Sequence, residues 1–136
     1  MRHEELLGQV QARARLPGPG EAERACRATL ETLAERIPEG LAENLAAQLP
    51  HEIGEHLRRT VVFGGQGSGE RFDAETFIGR VAERGGVDRP QAAYQARVVL
   101  EVADEATQGN VMERVRDSLP ADVRSLVAAG SAGDGG

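Results

Sequence analysis

The sequence predicts an all-α protein: two tandem copies of a four-helix unit packed into one pseudo-symmetric helical domain. Two observations carry this. Apolar residues recur at spacings of three and four through most of the chain, the mark of amphipathic helices. A Leu-Pro corner followed by an amphipathic stretch occurs twice, as Leu49-Pro50-His51-Glu52-Ile53 and Leu119-Pro120-Ala121-Asp122-Val123, 70 residues apart. At that offset Arg27 meets Arg97, Leu30 meets Leu100, Glu31 meets Glu101, Glu35 meets Glu105 and Glu43 meets Glu113. Nearer each start the offset becomes 71, and Leu6, Leu7, Gly8, Val10 and Arg13 meet Phe77, Ile78, Gly79, Val81 and Arg84. The one-residue shift falls in the turns Leu16-Pro17-Gly18-Pro19-Gly20 and Val87-Asp88-Arg89-Pro90, where insertions are tolerated.

The expected organisation is one helical domain over 1–129, with copy one at about 4–59, a glycine-rich linker at about 60–72 and copy two at about 73–128. A copy of about 55 residues with a light core is a poor independent unit, so the two are expected to pack together. The tail over 130–136 holds nothing to bury and is expected to be disordered.

Within each copy the first helix carries Leu6, Leu7 and Val10, or Phe77, Ile78 and Val81, on one face. Asp73 is placed to cap the second of these, with Phe72 and Phe77 at the two positions of a hydrophobic staple. The second helix is the longest and the expected core element, with Ala22, Cys26, Leu30, Leu33 and Ile37 in one stripe and Ala92, Ala96, Val99 and Ala103 in the other. A short third helix carries Leu41, Leu45 and Leu49, or Val111, Val115 and Leu119. Pro50 and Pro120 then end it and open a fourth, because proline excludes the helical conformation from its predecessor yet suits a helix's first turn. Ile53 and Leu57, or Val123 and Val127, are expected to face inward, and Arg58 and Arg59 to offset the negative end of the helix dipole.

Composition narrows the function classes. The chain has 136 residues, 40% of them apolar, only 3% aromatic, and no Trp. The core must therefore be aliphatic, and few rings are left for stacking on bases or sugars. A net charge of −6, with all sixteen basic residues arginine and scattered, lacks a nucleic-acid footprint, so no nucleic-acid partner is expected. No apolar run approaches the roughly 20 residues of a membrane span. A lone cysteine, Cys26, forms no intramolecular disulfide, and no apolar signal region leads the chain, so a cytoplasmic setting is expected.

No motif predicts a catalytic residue, a metal site or a cofactor. In His51-Glu52-Ile53-Gly54-Glu55-His56 the histidines are five apart, roughly 140° around a helix, and cannot share the face that a zinc-protease pair requires. An exposed polar face is the expectation there. The run Gly64-Gly65-Gln66-Gly67-Ser68-Gly69-Glu70 lacks the lysine of a phosphate loop and reads as linker. Glu31, Glu35, Glu101 and Glu105 form the carboxylate part of a di-iron bundle without its histidines. Pairing of Arg27 with Glu31 and of Arg97 with Glu101 along the helix surface explains them more simply. Cys26 sits in an apolar stripe and is expected to be a small buried residue.

The order of these signals resembles a family of bacterial all-helical proteins called domain of unknown function 2267. The resemblance rests on Ala22-Glu23-Arg24-Ala25, Gln48-Leu49-Pro50, Phe77-Ile78-Gly79-Arg80-Val81 and Ser118-Leu119-Pro120, and covers nearly the whole chain except the tail. It implies the fold and a bacterial source, and brings no catalytic or binding residues with it. The leading functional expectation is a non-enzymatic protein-interaction module that meets an unidentified protein partner or associates with itself, with Val61, Val62 and Phe63 as an interaction patch. The alternative is a small-molecule or lipid-binding domain with a pocket between the two copies.

Overall fold

The structure, a computed structural model, describes the backbone of residues 1–64 and 73–128 and the side chains of 1–59 and 73–126. Among the described residues there are eight helices and no strand: α1 (His3–Ala14), α2 (Pro19–Arg36), α3 (Glu39–Gln48), α4 (His51–Gly64), α5 (Ala74–Gly85), α6 (Arg89–Ala106), α7 (Val111–Asp117) and α8 (Ala121–Ala128). Tail residues 130–136 and the staple residue Phe72 lie outside the described residues.

Helix starts follow the local chemistry. Asp73 accepts the Thr76 N–H and Asp88 the Gln91 N–H, each at 2.9 Å, which satisfies donors that α5 and α6 would otherwise leave open. At α2 the cap position is Gly18, which has no side chain to offer, and Pro19 opens the helix with its backbone angle preset. Both Leu-Pro corners turn as expected: the Pro50 carbonyl accepts from Ile53 and Gly54, and the Pro120 carbonyl from Arg124.

One helix end differs from expectation. α4 does not stop near Arg59 but continues to Gly64. Val61, Val62 and Phe63 carry no breaking signal, and the first glycine pair comes only at Gly64-Gly65. Arg58 and Arg59 therefore sit inside the helix rather than in its last turn. They pair sideways, Arg58 with Glu55 at 3.3 Å and Arg59 with Glu31 of α2 at 3.6 Å.

The two 18-residue helices, α2 and α6, form the centre. They cross each other; α2 also packs on α1, α4 and α5, and α6 on α1, α5 and α8. The short helices α3 and α7 meet each other and pack on α4 and α8 respectively. Buried side chains from both halves form one continuous core, including Leu30, Leu33 and Ile37 of the first and Phe77, Val98 and Val102 of the second. Among the described residues the α3–α4 corner is the tightest approach at a glycine: a Cβ on Gly54 would lie 2.7 Å from the Ala46 carbonyl oxygen, so only glycine fits without a shift.

Candidate functional site

The four expected glutamates do not converge. Glu35 of α2 accepts from Arg80 at 2.9 Å and Arg84 at 2.6 Å, both on α5, and Arg84 also donates to the Thr32 hydroxyl at 2.8 Å. On the other side Arg13 of α1 grips Glu101 at 2.8 Å and Glu105 at 2.7 Å on α6. Burial pulls the Glu35 carboxyl upward, but its bonds to Arg84 and Arg80 outweigh that and hold it below the usual carboxylate range. Arg13 does the same to Glu105 and is itself held more firmly protonated by it. These pairs staple one half of the chain to the other. They replace the pairing expected within α2: Glu31 meets Arg59, and Arg27 has no ion-pair partner among the described residues. The helix spacing of Arg27 and Glu31 is right, but α4 brings a better-placed guanidinium across.

The segment His51–His56 is only partly the exposed face the sequence suggests. His51 is exposed, whereas His56 is buried at 6% exposure. It lies three residues beyond Ile53 and next to Leu57, both buried, so helix geometry turns it inward. The spacing was visible; its partner, Glu23 on α2, was not. The Nε2 atoms of His56 and His3 meet the two oxygens of Glu23 at 2.9 and 3.1 Å. Burial would raise the Glu23 carboxyl, but the bonds from His56 and then His3 win and lower it.

The far side of the His56 ring settles its chemistry. Nη2 of Arg59 lies 2.7 Å from Nδ1. A guanidinium only donates, so Nδ1 accepts, the ring proton sits on Nε2, and Nε2–H donates to Glu23. The result is an oriented row from Arg59 through His56 to Glu23. With Nδ1 occupied and Nε2 protonated, His56 presents no lone pair to a metal or to a substrate proton. Among the described residues no group of three or more His, Cys, Asp or Glu side chains is arranged to hold a metal ion.

This row borders an open groove of about 680 Å³, lined by Glu23, Arg27 and Glu31 of α2, His56 and Arg59 of α4, and Arg84 of α5. Its charge is three guanidiniums against two carboxylates. A second open concavity, about 510 Å³, lies along α5 and includes Asp73, Glu75, Arg80, Glu83 and Arg89. Neither is an enclosed apolar chamber. Cys26 is buried as expected, and burial pushes its thiol up to about 12, which leaves it unreactive. Val61, Val62 and Phe63 belong to the backbone of α4, but their side chains lie outside the described residues. Among the described residues no helix is long and apolar enough to cross a membrane.

No curated protein gives a significant match to the chain. A family model described as "Uncharacterized conserved protein (DUF2267)" matches residues 3–126, most of the chain. The chain therefore belongs to the DUF2267 family, as the resemblance in its Leu-Pro corners suggested.

Proposed function

We propose that the chain is a non-enzymatic protein-interaction module, made by duplicating a four-helix unit, whose working face is the groove between α2, α4 and α5. The duplication is supported by the helix packing. Exchanging α1–α4 for α5–α8 in order maps every main helix contact onto another: α2 on α4 onto α6 on α8, α2 on α5 onto α1 on α6, and α3 on α7 onto itself. The one-residue shift has a place as well. Four residues separate α1 from α2 and three separate α5 from α6.

The observation that carries the functional reading is where the two halves differ. The positions equivalent to Glu23 and His56 are Ala93 and Leu126; Leu126 belongs to the apolar core and Ala93 packs against it. An apolar pair thus satisfies this fold where the first half keeps a half-buried polar row. Replacing buried polar pairs by packed apolar ones is often neutral or stabilising, so stability alone is a poor reason to keep the row. Its openness and charge suit a partner's surface better than an enclosed lipid or small molecule, which needs a largely apolar pocket. On this reading the module works in the cytoplasm of a bacterium, where a lone reduced cysteine is ordinary.

The test gives the first half the residues of the second. Glu23→Ala with His56→Leu is expected to keep the fold and lose whatever protein co-purifies with the wild type. A partner, or a self-assembly seen by native mass spectrometry, that is held equally by both proteins would overturn the groove as the working face. Val62→Asp with Phe63→Ser asks the same question of the apolar stretch at the end of α4.

A further inference from the structure

We infer that the groove takes the carboxylates of an acidic segment in the partner; this rests on the groove being the working face and names what fills it. Arg27 is exposed and has no acidic partner among the described residues. Arg59 lies at the groove with its closest contact a neutral imidazole nitrogen at 2.7 Å and its carboxylate contact at a loose 3.6 Å. Arg84 is oriented from behind by Glu35 and Thr32, which use one N–H of each terminal nitrogen and leave further donors at the groove. The carboxylate of Glu23 is occupied on both oxygens by histidine nitrogens, so it competes little for these arginines.

Guanidiniums held in fixed orientation are the groups that recognise carboxylates by paired hydrogen bonds. His56 supplies the orientation: by accepting from Arg59 it holds that side chain without neutralising it. The whole chain carries −6, but salt at physiological strength screens charges beyond about 8 Å, so the local excess of arginine decides what binds. The other half lacks the oriented row: the positions of His56 and Glu23 are apolar, and Arg13, the counterpart of Arg84, is held by two carboxylates, Glu101 and Glu105, where among the described residues Arg84 is held by Glu35 alone.

The test uses the full chain labelled for NMR, titrated with a tetra-glutamate peptide at low salt, with a tetra-glutamine peptide as control. Saturable shifts in α2, α4 and α5 are expected, weakened about ten-fold or more by the exposed substitution Arg27→Ala and lost on adding salt. His56→Leu is expected to weaken binding while Arg27 and Arg59 remain, because Arg59 loses its orientation. Equal response to tetra-glutamine, no saturable response, or binding unchanged in Arg27→Ala would overturn the inference. So would saturable shifts with inorganic phosphate in the absence of any with tetra-glutamate, which would make this a phosphate site. If tetra-glutamate fails while a natural partner is still lost in the Glu23→Ala/His56→Leu variant, the acidic ligand is wrong and the groove stands.

Discussion

On the proposed duplication, the two halves of this molecule reach similar helices by different means. In the second half local signals are strong: Asp73 and Asp88 cap α5 and α6, and Gly86 takes the left-handed turn after α5 at φ 68°. In the first half the corresponding residues are Arg2, Gly18 and Arg15. None of them caps a helix through its side chain, and Arg15 is forced to φ 57° without glycine's freedom. Packing compensates. The largest fully buried side chains of the first half include Leu30, Leu33, Ile37, Leu45, Ile53 and Leu57, whereas those of the second are Phe77 and a set of valines with no leucine or isoleucine. The lesson is that one architecture tolerates weak punctuation where its core is heavy and a lighter core where its punctuation is strong.

The corners sharpen that contrast and carry the largest expected effect. Gly54 lets α4 close on α3, while its counterpart Arg124 leaves α8 only lightly packed on α7 and donates instead to the carbonyls of Arg116 and Leu119. Helix propensity alone would make Gly54→Ala stabilising by about 1 kcal/mol. The clash with the Ala46 backbone reverses the sign, and a loss of about 2–3 kcal/mol in urea unfolding is expected. Arg124→Ala is expected to cost under about 1 kcal/mol. Equal losses at the two corners would erase the distinction.

Cap removal comes next. Asp88→Ala is expected to cost about 1 kcal/mol, while Gly18→Asp, which supplies the side-chain cap that α2 lacks, is expected to gain about 0.3 kcal/mol. The turns after α1 and α5 should respond in opposite directions. Arg15→Gly is expected to gain, and Gly86→Ala to lose, about 1 kcal/mol, since both positions are left-handed. A smaller, pH-dependent effect belongs to the ion pairs between halves. The Glu35 carboxyl is lowered in the folded state, so its contribution is full above the ordinary carboxylate range and fades as pH falls through its folded value. Arg84→Ala should flatten that acid limb of the stability profile; an unchanged limb would show that Glu35 does not carry it.

Much of this was legible in the sequence. The all-helical fold, the Leu-Pro corners, the Asp73 cap and the buried Cys26 followed from spacing and local chemistry, because those act within a turn or two of helix. The end of α4 did not: Val61, Val62 and Phe63 carry no breaking signal, and the glycine run that suggested a linker begins only at Gly64. The pairing of Arg27 with Glu31 was misassigned because its competitor lies on another helix. Arg27 and Glu31 have ideal spacing on α2, but Arg59 and Glu31 are brought together only by the packing of α4 on α2. The His56–Glu23 contact joins positions 33 apart and left one sequence trace: a histidine on a face otherwise set by Ile53 and Leu57.

The central claim is that the polar row from Arg59 through His56 to Glu23 serves recognition and is not needed by the fold. Urea unfolding of the Glu23→Ala/His56→Leu variant tests it most directly. Stability equal to or above that of the wild type is expected, with Ala and Leu packing as Ala93 and Leu126 do in the other half. A loss of about 3 kcal/mol or more, the size expected when a structurally required buried pair is broken, would contradict it.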